Sequence, residues 1–175
     1  NRIIQVQPGV TNQQVQDAAA EYGFFWAPDP TSAAFCSVGG NLAYNSAGPR
    51  AVKYGTCREN TLGLRAVTGK GELIRCGTYT TKCVVGYYLT LLIIGAERSL
   101  AMITEATLKL LPTPETRRTL KATYKTMQAA AKAVSNIMSK PTIPCALEFM
   151  DSNALNIVRD YSSANLPVDA GAMLM

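Results

Sequence analysis

Residues 27–55 read APDPTSAAFCSVGGNLAYNSAGPRAVKYG, and this stretch decides the fold more than any other part of the chain. It holds two clusters of small residues, Gly39-Gly40-Asn41 and residues 45–49. Glycine adopts positive φ without strain and has no Cβ that would keep a ligand away. We therefore predict a turn at residues 39–41 whose backbone N–H groups face phosphate or carbonyl oxygens. A glycine pair is equally typical of an ordinary tight turn, so spacing alone leaves both interpretations open.

The composition is that of a folded domain, with 175 residues of which 47% are hydrophobic. The net charge is +5, but no run of four or more Lys and Arg occurs. This scatter argues against nucleic-acid binding and fits a basic surface or an anionic ligand. The chain has no stretch of about 18 apolar residues and no signal-peptide pattern, so we expect a cytoplasmic protein without a membrane span.

Cysteine and histidine usage narrows the chemistry further. The five cysteines are Cys36, Cys57, Cys76, Cys83 and Cys145. They form no CxxC pair, so we expect free thiols in a reducing compartment, with neither a disulfide framework nor a metal site. The chain has no histidine. It therefore lacks the commonest general base and the commonest metal ligand.

Local signals predict a helix and a hairpin in the first half of the chain. Thr11 and Gln14 fit a capping box for a helix that ends at Gly23. Residues 61–67 and 72–76 read as two strands, and the TGKG sequence between them is typical of a hairpin turn.

The later part of the chain changes its pattern after Pro114. Before it, residues 87–94 are apolar throughout and fit a buried helix or a strand, whereas residues 100–111 read as a long strand. Beyond it we predict a strand over 116–124, a helix over 125–139, a strand over 145–150 and a helix capped by Asp151.

These patterns divide the chain near Thr116 into two parts, residues 1–115 and 116–175. The order of strands and helices in the second part is typical of an α+β layer. Residues 1–6 and 170–175 both read as strands that are already under way. We therefore expect an internal segment of a longer protein.

Three motifs follow one another in the first part: PDPTS at 28–32, SVGGN at 37–41 and NSAGPRAVKYG at 45–55. In this order they resemble the second half of the FAD-binding domain of the vanillyl-alcohol-oxidase-type flavoproteins. The similar branch holds the FAD subunit of glycolate oxidase, D-lactate dehydrogenase and D-2-hydroxyglutarate dehydrogenase. Residues 57–77 and 87–115 continue the resemblance, as its strand–turn–strand and its closing helix and strand.

The resemblance implies an α+β fold. Residues 1–115 would form the second half of a PCMH-type FAD-binding domain, a mixed sheet with flanking helices. Residues 116–175 would begin an α+β cap domain that holds the substrate. The implied activity is FAD-dependent oxidation of a 2-hydroxy acid of the glycolate or D-lactate type, with an electron acceptor or a partner subunit.

Two other functions stay open at this point. The first is a non-catalytic, diverged or truncated module with the flavoprotein fold that packs against a partner subunit. The second is a phosphate- or nucleotide-binding domain unrelated to flavin, which would depend on the glycine turn alone.

The resemblance also implies which residues lie against FAD. They are Pro28, Asp29, Thr31, Ser37, Val38, Gly39, Gly40, Asn41, Asn45, Gly48, Tyr54, Ile103 and Thr104. Turn capping is the alternative role for Asp29 and Asn41, whose side chains can do this without a ligand. No catalytic base can be named, and we expect Glu97 and Glu105 to be structural or rim groups.

The chain departs from the family pattern at residues 95–101. The usual GSEGTLG appears as GAERSLA, so Arg98 and Ala101 stand where the family has glycine. A positive φ at Arg98 would cost roughly 1–2 kcal/mol, and its bulk would crowd the cofactor, which predicts tighter FAD binding in Arg98→Gly. A guanidinium also suits phosphate, and in that case Arg98 would be a ligand. The usual KDVAGYD likewise appears as KCVVGYY at 82–88, without its aspartates.

Overall fold

The computed structural model describes residues 2–163, 166 and 168–175, and it divides into two units, Asn1–Glu115 and Thr116–Met175. The strands of the first unit are β1 (Ile3–Val6), β2 (Phe24–Trp26), β3 (Thr61–Thr68), β4 (Leu73–Gly77) and β5 (Ala101–Pro112). Its helices are α1 (Asn12–Ala20), α2 (Val38–Tyr44), α3 (Ala51–Tyr54) and α4 (Leu89–Ile93). Asn1, with which the predicted first strand begins, lies outside the described residues.

The sheet of the first unit is built around the long strand β5. Its order is β1-β5-β3-β4, and β2 pairs with the far end of β5. The α+β class is confirmed, but all pairs among the described strands are antiparallel, whereas we expected a mixed sheet. A hairpin joins β3 to β4, and a hairpin can only connect antiparallel strands. The core beside the sheet contains the fully buried side chains of Trp26, Leu42, Ile94 and Leu108.

Helix α1 confirms the predicted capping box. The Gln14 N–H donates to Thr11 Oγ1 at 3.1 Å, and the Thr11 N–H donates to Gln14 Oε1 at 2.9 Å. The helix ends at Ala20, earlier than the predicted end at Gly23, and a turn over residues 21–23 follows, in which Gly23 has a φ of +75°. The predicted hairpin and the short helix α4 are confirmed as well.

Helix α2 replaces the turn that we predicted at residues 39–41. Ser37 caps it, with its Oγ accepting from the Gly40 N–H at 3.1 Å. Glycine is a poor helix former, at up to about 1 kcal/mol per residue relative to alanine. Complete burial of Val38 and Leu42 against the core offsets this cost. The helix ends at Asn45, which has a left-handed φ of +52°.

The second unit is a small sheet with two helices. The strands β6 (Ala122–Tyr124), β7 (Phe149–Asp151) and β8 (Ala172–Leu174) pair antiparallel in the order β6-β8-β7. The helices are α5 (Met127–Met138) and α6 (Ser152–Tyr161).

In the second unit, the local sequence pattern predicts the helices better than the strands. Asp151 caps α6 as predicted, accepting from the Ala154 N–H at 2.7 Å. The strands predicted over 116–124 and 145–150 are much shorter, since only Ala122–Tyr124 and Phe149–Asp151 pair with β8. Over residues 2–163, 166 and 168–175, every helix is too short or too polar to cross a bilayer.

Candidate functional site

A cavity of about 330 Å³ opens in the first unit beside the start of α2. We call it the α2 cavity. It is lined by Pro8, Gly9, Ser37, Gly39, Gly40, Ala43, Ile93, Arg98, Ala101, Met102 and Ile103. This volume lies at the lower end of the range for small-molecule pockets, roughly 300–1,000 Å³. The wall is made of small and apolar residues, and Arg98 is the one charged side chain among them.

Four of the predicted cofactor residues line this cavity, namely Ser37, Gly39, Gly40 and Ile103. The loop after β1 brings Pro8 and Gly9 to it, and the start of β5 brings Ala101 and Met102. Pro8, Gly9 and Met102 escaped the sequence interpretation. The prediction of Ile103 and the family pattern around residues 95–101, which includes Ala101, pointed to the β5 side of the cavity.

The backbone N–H groups at the start of α2 are already used within the protein. Val38 donates to the Val10 carbonyl at 2.8 Å, and Gly39 donates to the Pro8 carbonyl at 2.9 Å. A Cβ on Gly39 would lie 2.5 Å from the Pro8 Cβ, so glycine is needed here for the loop to approach the helix. The prediction that these N–H groups face a ligand is therefore wrong. The loop after β1 takes their hydrogen bonds.

Asp29 and Gly48 hold the loops around residues 29 and 48–50 together, and Pro28 is hydrogen-bonded to helix α1; none of the three lines the α2 cavity. Asp29 Oδ2 pairs with Arg50 Nε at 2.9 Å, and Asp29 Oδ1 accepts from the Arg50 N–H at 3.1 Å. The Pro28 carbonyl accepts from Asn12 Nδ2 at 3.2 Å. A Cβ on Gly48 would lie 2.5 Å from Asp29 Oδ1 and closer still to the Asp29 carbonyl group. Gly48 is therefore required where the two loops touch.

Asn45, Tyr54 and Asn41 also have partners or neighbours inside the protein. Asn45 Oδ1 accepts from Thr56 Oγ1 at 2.8 Å and from the Arg58 N–H at 3.0 Å. The Tyr54 ring meets the Phe25 ring edge to face at 5.6 Å. Asn41 is 3% exposed, and among the described residues its Nδ2 has no hydrogen-bond acceptor. A buried donor without an acceptor costs about 1–3 kcal/mol.

The remaining predicted residues lie apart from the cavity wall. Val38, the first residue of α2, is completely buried, and Thr31 is exposed. Thr104 is exposed on β5 and donates from Oγ1 to the Arg65 carbonyl at 3.2 Å. Glu105 pairs with Arg65 at 3.4 Å.

A second cavity of about 360 Å³ lies at the end of the β3–β4 hairpin strands, and we call it the Arg58 cavity. Arg58 is fixed in its wall by donating from Nε and Nη2 to the Ile94 carbonyl, at 3.1 and 2.9 Å. Glu59 also lines it, and the Thr56 hydroxyl that donates to its carboxylate lowers the pKa of this group. The KCVVGYY segment contributes Cys83, Tyr87 and Tyr88 to the wall. We did not predict this cavity from the sequence.

Two consecutive residues with positive φ adjoin the α2 cavity. Glu97 has a φ of +50° and Arg98 a φ of +69°. The Arg98 backbone is therefore strained, since a left-handed φ costs a residue with a Cβ roughly 1–2 kcal/mol. The Arg98 side chain is exposed and forms no hydrogen bond or ion pair with the part of the chain that the structure describes.

Cys57 is completely buried in the core of the first unit, and its thiol donates to the Ser46 carbonyl at 3.2 Å. Burial raises the pKa of the Cys57 thiol from its ordinary 9.0 to about 12, and Cys36 and Glu59 add to the rise. The unfolded chain therefore loses this proton near pH 9, whereas the folded chain keeps it. As a result, stability falls as the pH rises above 9.

We expect the free energy of unfolding to fall by about 1.4 kcal/mol between pH 8 and pH 10 through Cys57 alone. Urea unfolding of the wild type and of Cys57→Ala at both pH values measures this. Subtracting the decrease in the variant from that in the wild type isolates the Cys57 contribution. Equal decreases in both proteins would show that Cys57 is not the group responsible.

Comparisons with known proteins match both units. Residues 1–77 match the family described as FAD binding domain, and residues 113–175 match the C-terminal domain of FAD linked oxidases. The chain is 43% identical over 170 residues to the glycolate oxidase subunit GlcD of Bacillus subtilis, covering 97% of this chain and 36% of that protein. It is 40% identical over 157 residues to D-lactate dehydrogenase of Archaeoglobus fulgidus, covering 90% of this chain and 35% of that protein.

A solved structure of alkyldihydroxyacetonephosphate synthase has the same fold. Its TM-score is 0.75 at 22% sequence identity, and the match covers 99% of this chain and 34% of that one. The chain thus spans about a third of the length of the relatives that it matches.

Proposed function

Because the chain belongs to the FAD-linked oxidases, we propose that it is part of an FAD-dependent oxidoreductase that oxidises a 2-hydroxy acid of the glycolate or D-lactate type. The first unit would be the C-terminal part of the FAD-binding domain, and the second would begin the cap domain that holds the substrate. The observation that carries the proposal is the 43% identity to a glycolate oxidase subunit, because this single match extends over both units.

The residues of the α2 cavity fit part of an FAD molecule. Gly39, Gly40 and Ala43 make a wall without bulky side chains, which suits a flat group. Arg98 supplies a positive charge for an anionic group. The volume of about 330 Å³ would admit only a portion of a dinucleotide.

We propose that Ser37, Gly39, Gly40 and Ile103 contact the cofactor directly. Of the other predicted residues, Asp29, Gly48 and Asn45 would act indirectly, by positioning the segments around these four. Asp29 and Gly48 would do so through their loop contact, and Asn45 through its bond to the Arg58 N–H.

FAD, when bound, supplies the two-electron acceptor for oxidation at the α-carbon of the hydroxy acid. The wall of the α2 cavity contains no carboxylate and no histidine. Its residues would therefore bind and orient the cofactor and exclude water. The proton of the substrate hydroxyl would go to a group elsewhere. We further propose a cytoplasmic location and an electron acceptor or partner subunit that reoxidises the cofactor.

The visible spectrum of the purified protein that contains these residues tests the function. We expect the absorption bands of oxidised flavin, and we expect glycolate or D-lactate to bleach them in the absence of oxygen. Pyruvate is the matched control, since it lacks the hydroxyl hydrogen and the α-hydrogen that oxidation removes. A protein that takes up no flavin would contradict the proposal. A flavin that no hydroxy acid bleaches would favour the non-catalytic module.

A further inference from the structure

We propose that the guanidinium of Arg98 binds a phosphate group of FAD in the α2 cavity, an inference that rests on the proposed function. Among the residues lining this cavity, Arg98 carries the only charge. Its side chain is exposed and has no partner in the part of the chain that the structure describes. The family pattern has glycine here, so the contact would belong to this chain and not to the family.

The first reason is that the backbone N–H groups at the start of α2 are not free to bind a phosphate. The N–H groups of Val38 and Gly39 donate to backbone carbonyls, and that of Gly40 donates to the Ser37 side chain. An anion placed in a largely apolar cavity needs hydrogen bonds or a counter-charge, because its desolvation is otherwise too costly. Within the described wall only Arg98 supplies the charge, and a guanidinium matches phosphate oxygens in a bidentate manner.

The second reason is the way the backbone holds Arg98 in place. The turn at residues 95–99 is fixed to α2, because Gly95 donates to the Leu42 carbonyl at 2.9 Å and Glu97 donates to the Ala43 carbonyl at 3.0 Å. This attachment places Arg98 at the cavity although its own φ is +69°. Strained residues that the surrounding structure fixes in this way cluster at ligand sites.

The strain does not itself weaken FAD binding. A positive φ at Arg98 raises the energy of the free protein and of the complex alike unless the backbone moves on binding. Relieving it with glycine would therefore change the free energy of unfolding and leave the dissociation constant unaltered. The difference between arginine and glycine in FAD affinity then depends on the charge, in contrast to the expectation from the family pattern.

The test uses the protein that contains this chain, after removal of its flavin, with Arg98→Gln, Arg98→Gly and Arg98→Lys. Arg98→Gln removes the charge and keeps the strained backbone, whereas Arg98→Gly removes both. Lys70→Gln is the matched control, since Lys70 is exposed at the hairpin turn and lines neither the α2 cavity nor the Arg58 cavity. Dissociation constants for FAD and for riboflavin, which has no phosphate, are measured by flavin fluorescence at two salt concentrations.

We expect Arg98→Gln and Arg98→Gly to weaken FAD binding by roughly 10- to 100-fold, as for loss of a charge-assisted contact. Riboflavin binding should be the same in all variants, and the FAD affinity of Arg98→Lys should lie between those of the wild type and Arg98→Gln. Added salt should weaken FAD binding more in the wild type than in Arg98→Gln. Circular dichroism shows whether each variant is folded. If Arg98→Gly does not fold, the comparison of Arg98→Lys with Arg98→Gln is used instead.

Three outcomes would overturn the role of Arg98. They are tighter FAD binding in Arg98→Gly, wild-type binding in Arg98→Gln, and equal losses in Arg98→Lys and Arg98→Gln. A wild-type protein that binds neither FAD nor riboflavin would instead refute the proposed function, so the two failures are distinguishable.

Discussion

Replacing Trp26 with alanine is expected to lower the free energy of unfolding of the first unit by about 3–5 kcal/mol. The Trp26 side chain is completely buried in the core of the first unit. Its Nε1 donates to the Asn60 carbonyl at 3.0 Å. Alanine would leave a cavity and remove this bond.

Urea unfolding followed by circular dichroism measures the effect, with Tyr22→Ala as control because Tyr22 is 77% exposed. Trp26→Phe should cost less, since its ring fills more of the space that alanine would leave empty. In both variants the Asn60 carbonyl keeps its second donor, the Lys109 N–H at 3.0 Å. Equal stabilities of Trp26→Ala and Tyr22→Ala would refute the assigned position of Trp26 in the core.

Replacing Gly48 with alanine is expected to destabilise the first unit by about 2–3 kcal/mol, the upper part of the range for overpacking. The added Cβ would collide with the backbone of Asp29, which cannot move aside as a flexible side chain would. The Asp29–Arg50 ion pair holds the same two loops together, so they cannot separate freely.

The fluorescence of Trp26, the single tryptophan of the chain, reports this unfolding. Gly69→Ala is the matched control, because a Cβ on Gly69 would have nothing within 4 Å. If Gly48→Ala left stability intact and weakened only FAD binding, Gly48 would contact the cofactor and not the neighbouring loop.

The features that the sequence predicts well are those that neighbouring residues decide. The capping box of Thr11 and Gln14 and the cap of α6 at Asp151 each involve side chains and backbone within a few residues. Such interactions form in the same way whatever surrounds them, so a local pattern is enough to predict them.

Residues 39–41 show what local pattern misses. Two glycines predict a turn, but the structure has a helix. Burial of Val38 and Leu42, together with hydrogen bonds from the helix N–H groups to the Val10 and Pro8 carbonyls, outweighs the low helix propensity of glycine. The α2 cavity was only partly predictable for the same reason. Pro8 and Met102 are far apart in sequence, and only the folded sheet brings them to one wall.

The hydrogen bonds at the start of α2 bear on how the apoprotein behaves. Because the loop after β1 already satisfies those N–H groups, this wall of the cavity is preorganised and needs no cofactor to take shape. Binding of FAD would then stabilise the fold through mass action, by about 2.7 kcal/mol at a free concentration one hundred times the Kd. The small heat-capacity change of such binding would distinguish it from coupled folding, which buries far more surface. These hydrogen bonds favour reversible removal and rebinding of FAD, with the apoprotein folded throughout.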